Sequence, residues 1–120
     1  MAKKILIVDD EPDILMLVEI RLKASGYETL TAVNGLQALE VVEKQKPDLI
    51  LLDLRMPEME GSEVAKKIKS HKELKHIPII LFAATSAHIV ETVKECGADD
   101  YCIKPFDAKE LLGKLELLLK

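Results

Sequence analysis

The chain has no tryptophan, no Gly-x-Gly-x-x-Gly and no Gly-Lys-Ser/Thr loop. A dinucleotide-binding or flavin-binding module is therefore a poor fit. No run of 18 apolar residues occurs, which excludes a membrane-spanning helix. The opening "MAKK" and four aliphatics are too short for a secretory signal. Only two cysteines are present, Cys96 and Cys102, without metal-ligand spacing, so reduced thiols in a cytoplasmic protein are expected. A basic excess is also missing: the formal charge is −4, against a nucleic-acid surface. The lysines at 66, 67, 69 and 72 are interleaved with Glu63 and Glu73 and read as a solvated helix face.

What is present is a core-forming 48% of apolar residues in 120, the size of one domain over 1–120. Short aliphatic runs at 5–8 (ILIV), 49–52 (LILL) and 79–82 (IILF) read as buried strands. The mixed stretch 27–33 and the short 101–103 read as edge strands. Between them the apolar spacing becomes helical. Helices are expected over 12–25 (face Ile14, Leu17, Val18, Leu22), 35–45 (Ala38, Val41, Val42) and 62–70 (Val64, Ala65, Ile68). Two more are expected over 87–96 (Ile89, Val90, Val93) and 108–119 (Leu111, Leu112, Leu115, Leu118, Leu119). Pro12 suits a first helical turn, and Gly26 and Gly97 suit left-handed helix ends. Asn34 with Gln37 and Asp107 with Glu110 have capping-box spacing.

Five βα repeats make an α/β protein, a doubly wound parallel sheet with helices on both faces. The strand order 2-1-3-4-5 places the three most apolar strands inside. Ligands in such sheets bind at the carboxyl ends of the strands. There the sequence delivers Asp9 and Asp10 after the first strand, Asp53 after the third and Lys104 after the fifth. Three converging carboxylates repel, so at least one pKa should rise unless a cation is bound. Oxygen-only, partly hydrated sites suit Mg²⁺ (or Mn²⁺). A carboxylate beside a metal and an ammonium is also what phosphoryl transfer requires. A single Asp after a strand is often only a helix cap, as Asp10 could be; three acids plus a lysine are not explained that way.

The segments "ILIVDDEP", "DLILLDLRMPEMEG", "IPIILFAA" and "GADDYCIKPF" resemble the receiver domain of bacterial two-component response regulators, single-domain chemotaxis-type. The resemblance covers essentially the whole chain and implies a flavodoxin-like fold. It implies that Asp53 accepts a phosphoryl group from a phosphohistidine, and that the domain is a signalling acceptor, not an enzyme. Asp10 would bind Mg²⁺ directly, Asp9 through water, with Asp53 and the backbone carbonyl of Arg55 completing the site. Lys104 would contact the phosphoryl group, its bond to Pro105 being commonly cis in the family. Tyr101 would be the switch. A sensor histidine kinase or phosphotransfer protein would be the donor. An effector would dock on the face of the fourth helix, fifth strand and fifth helix, with no nucleic acid and no membrane involved. One position departs from the family: Ala83 stands at the usual Thr/Ser place, with Thr85 as a possible substitute in a loop about one residue shorter than usual. That departure keeps open a phosphate-independent binding scaffold. A Mg²⁺-dependent phosphohydrolase fits less well, since its acids are typically Asp-x-Asp and here they are adjacent.

Overall fold

The computed structural model describes residues 2–120; Met1, with which the export-signal expectation begins, lies outside the described residues. The order is β1 (Lys4–Val8), α1 (Pro12–Ala24), β2 (Glu28–Ala32), α2 (Gly35–Gln45) and β3 (Leu49–Asp53). It continues with α3 (Gly61–Ser70), β4 (Ile79–Ala83), α4 (Ile89–Cys96), β5 (Asp100–Ile103) and α5 (Ala108–Leu118). All pairings are parallel and the strand order is β2-β1-β3-β4-β5. This is the doubly wound, flavodoxin-like sheet that the alternation of apolar runs predicts. Among the described residues no helix is long and apolar enough to cross a membrane.

The pleat sorts each strand between two cores. Ile5, Ile7, Leu49, Leu51, Ile80, Phe82 and Cys102 pack with Leu15, Val18 and Leu22 of α1 and Leu111 and Leu115 of α5. The alternate residues, Leu6, Val8, Ile50, Leu52, Ile79, Leu81 and Ala83, pack with α2, α3 and α4. Each fully buried Leu or Ile stabilises the fold by about 1.5–3 kcal/mol, and both faces of β3 are lined with them. Cys96 belongs to the α2–α4 core and Cys102 to the α1–α5 core, so the sheet separates the two free thiols.

Several local expectations are corrected. The buried stripe of α1 runs through Leu15, Val18 and Leu22, whereas Leu17 is 46% exposed beside Met16 and Ile20. The helix is rotated so that its three- and four-residue spacing meets Ile5, Ile7 and Leu49. α4 begins at Ile89, because His88 has φ +58° and cannot be helical, and Val90 faces solvent. Asn34 caps α2 by accepting from Gln37 N–H at 2.8 Å, but the Gln37 side chain returns to Val33 N–H. Asp107 caps α5 through Lys109 N–H, while Glu110 turns to Lys114, 3.4 Å away. Lys69 departs from the solvated lysine face. Its ammonium donates to the carbonyls of Lys75 and Ile77 and to Asp99, tying the end of α3 to the loops before β4 and β5.

Candidate functional site

The same alternation that builds the α1–α5 core aims the polar residues at the strand ends. Asp9 stands two residues beyond Ile7, Asp53 two beyond Leu51 and Lys104 two beyond Cys102. The ladders hold past the strands: Asp9 N–H bonds Ala32 O at 3.2 Å, and Lys104 N–H bonds Ala83 O at 2.7 Å. All three side chains therefore reach one side of the carboxyl edge, beneath the start of α1.

Asp9 is fully buried, and Asp53 is only 4% exposed. One oxygen of Asp9 accepts from Glu11 N–H at 2.9 Å; the other lies 3.0 Å from the Lys104 ammonium. The same ammonium is 3.2 Å from Asp53, and Asp53 also accepts the backbone N–H of Arg55. Glu11, not singled out from sequence, stands 3.9 Å from Lys104 at the rim and is a third acid on the same cation, after Asp9 and Asp53. Only the tertiary fold brings it there, since a lone Glu at the N-cap of a helix reads as a dipole partner.

Asp10 is exposed, yet one oxygen from each of Asp9, Asp10 and Asp53 lies within 4.8 Å of the others. Three carboxylates against one ammonium leave two negative charges in excess. Hard oxygen donors with one side open to water are the donor set that Mg²⁺ takes, so the residues fit a divalent cation.

Without that cation the charge has to be relieved by protons. Burial first, and the charge of Asp9 second, push the Asp53 carboxyl from 3.8 up to about 6, while Lys104 opposes the rise. Burial pulls the Lys104 ammonium down. Its bond to Asp9 and the charges of Asp53 and Asp9 outweigh that, so its pKa is raised.

The backbone around Asp53 is closely fitted. Gly61 N–H donates to Leu54 O at 2.8 Å, and a Cβ at Gly61 would collide with the carbonyl oxygen of Asp53. The loop after β3 can close over the strand only because this residue has no side chain. The Arg55 guanidinium points outward, 3.6 Å from Glu60, so Arg55 meets Asp53 through its backbone and not through its charge.

The residues expected to sense phosphate have other partners than the carboxylates. Ala83 is buried in the α2–α4 core, against which Tyr101 packs half-buried. Thr85 is exposed, and its hydroxyl oxygen accepts Ala87 N–H at 3.1 Å, within its own loop. Tyr101 is held from α5: the Lys114 ammonium lies 5.0 Å from the ring centre and bonds the Tyr101 carbonyl. Lys104–Pro105 is a cis peptide.

Residues 5–116 match the response regulator receiver domain. The chain is 40% identical over 121 residues to the alkaline phosphatase synthesis transcriptional regulatory protein PhoP of Bacillus subtilis (strain 168). That match takes in all of the chain, which spans half the length of the curated relative. Among solved structures, chemotaxis protein CheY4 of Vibrio cholerae is similar with a TM-score of 0.93 and 34% identity, covering 99% of this chain and 100% of that one. The receiver domain of sensor histidine kinase PA1611 from Pseudomonas aeruginosa PAO1 is similar with a TM-score of 0.91 and 30% identity, covering 99% and 98%. That structure holds a magnesium ion coordinated in the active site cleft. With the family match over almost all of its length and the acid cluster at the expected strand ends, the chain belongs to the response regulator receiver domains, which take a phosphoryl group on an aspartate in two-component signalling.

Proposed function

We propose that Asp53 is the phosphoacceptor and that Asp9, Asp10, Asp53 and the backbone carbonyl of Arg55 hold Mg²⁺ beside it. The observation that carries this is the Lys104 ammonium seated between two buried carboxylates, 3.0 Å from Asp9 and 3.2 Å from Asp53, with Asp10 open to water beside them. A carboxylate oxygen of Asp53 attacks the phosphorus of a phosphohistidine, the P–N bond breaks and the imidazole leaves with the bonding pair. Lys104 already stands where charge builds on the transferring group, so little reorganisation is needed. Burial of Asp9 and Asp53 strengthens these electrostatic contacts by excluding water. The bound metal supplies further positive charge for the phosphoryl oxygens.

A histidine kinase or phosphotransfer protein is the donor, in the cytoplasm, and the effector docks on α4, β5 and α5. Tyr101 lies on that face and would report the phosphorylated state, packed against the core that contains Ala83. Because Ala83 has no hydroxyl and Thr85 is engaged with Ala87, a phosphate-independent scaffold is the second reading.

Incubating the protein with Mg²⁺ and a small acyl phosphate, followed by mass spectrometry, tests both. Wild type should gain one phosphoryl group, stable to acid and labile to alkali, and Asp53→Asn should gain none. Full labelling of Asp53→Asn would move the acceptor elsewhere; no labelling of wild type would favour the scaffold.

A further inference from the structure

The sequence holds only two phenylalanines, and the fold stacks them on each other. Phe82 is fully buried in β4 and is the ladder partner of Asp53; its carbonyl accepts the N–H of Leu54, the next residue after Asp53. Phe106 lies two residues beyond Lys104, outside any strand or helix and half-buried. Its ring is parallel to that of Phe82 within 6°, with centroids 6.0 Å apart, an offset stack.

Lys104 is thus fixed from both sides. Its own N–H is bonded to Ala83 O, and the turn that follows it is pinned to the residue in register with Asp53. A lysine ammonium on a four-carbon stem is otherwise free to sample many rotamers. Here it must bridge carboxylates from two different strands, which a displaced turn would prevent.

We propose that Phe106 is a positioning residue for phosphoryl transfer: its stack on Phe82 aims Lys104 at Asp9 and Asp53. The proposal rests on the roles assigned above to Asp53 and Lys104. Ordinary core packing would be served by any aliphatic of similar volume, whereas a flat ring-on-ring contact needs an aromatic.

The test compares wild type, Phe106→Leu, Phe106→Tyr, Lys104→Met and the Lys104→Met/Phe106→Leu double variant. Initial phosphorylation rates with Mg²⁺ and a small acyl phosphate are read alongside the NMR signal of the Lys104 ammonium in metal-free protein. Phe106→Leu should slow the reaction by about tenfold, since misplacing a reacting group by about 1 Å can cost 100-fold. It should also release the Lys104 ammonium into free exchange. Phe106→Tyr, which keeps the ring, should retain both rate and signal. The double variant should be no slower than Lys104→Met alone. A wild-type rate in folded Phe106→Leu, or a loss that multiplies with that of Lys104→Met, overturns the positioning role. A wild-type rate in Lys104→Met instead overturns the role of Lys104, and this inference with it. If Phe106→Leu fails to fold, Phe106→Met, unbranched and adaptable, supplies the same comparison.

Discussion

Replacing Asp53 by asparagine should stabilise the metal-free protein, by an amount that depends on pH in a definite way. Asp53 is nearly inaccessible to water, and burial together with the charge of Asp9 lifts its pKa from 3.8 to about 6. A carboxyl whose pKa is raised by folding binds protons more tightly in the native state than in the unfolded one. Between pH 3.8 and about 6 the native protein therefore carries the extra proton, and stability falls as pH rises through that window. Two units at 1.36 kcal/mol each make the loss about 3 kcal/mol, complete by about pH 7. The favourable contribution of Lys104 is already included in that net shift, and in Asp53→Asn the ammonium keeps its bond to Asp9. Urea unfolding of both proteins in EDTA, at steps from pH 4 to 8, reads the difference directly. The two should be close at pH 4 and diverge to about 3 kcal/mol at pH 7.5, or about 10 °C in Tm for a domain of this size. Taking the difference cancels titrations of groups that do not interact with Asp53. A gap that stays constant across the range, or a variant less stable at pH 7.5, would refute the strain assigned to Asp53.

The remaining expectations concern the metal, the loop and the switch. Mg²⁺ should raise the melting temperature, by about 2.7 kcal/mol of stability at 100 times Kd, and EDTA should reverse it. Asp10→Asn should weaken that response while shifting metal-free stability by less than about 0.5 kcal/mol, because Asp10 is exposed; isothermal titration and thermal melts separate the two effects. Gly61→Ala should destabilise by about 1–3 kcal/mol and slow phosphorylation, since the added methyl displaces the Asp53 carbonyl; urea unfolding and the mass-shift assay measure both. Ala83→Thr should enlarge the phosphorylation-induced change in Tyr101 fluorescence, as a hydroxyl there adds a contact that only the phosphorylated state can use. An unchanged response would mean that phosphate does not act on Tyr101 through this position.

The order of elements and the placing of Asp9, Asp10, Asp53 and Lys104 at strand ends were legible in the sequence. Both follow from local pattern: a run such as Ile5 to Val8 is buried on both faces, each helix returns the chain to the same end, and whatever follows a strand lies at the carboxyl edge. The tertiary structure alone decided how those residues are held. That α1 buries Leu15 rather than Leu17, and that Lys69 is withdrawn from solvent by two carbonyls and Asp99, depend on where neighbouring elements stop. The raised pKa of Asp53 depends on its burial in the folded chain and on the charge of Asp9, 44 positions earlier in the chain. The Phe82–Phe106 stack depends on the register of β3 with β4 and on the turn after β5. Periodicity reports which face of a segment is apolar, but not which atom of a remote segment arrives opposite it. Lys104 was placed at the site by its position after a strand, and it meets Asp9 and Asp53 there through contacts that no local pattern encodes.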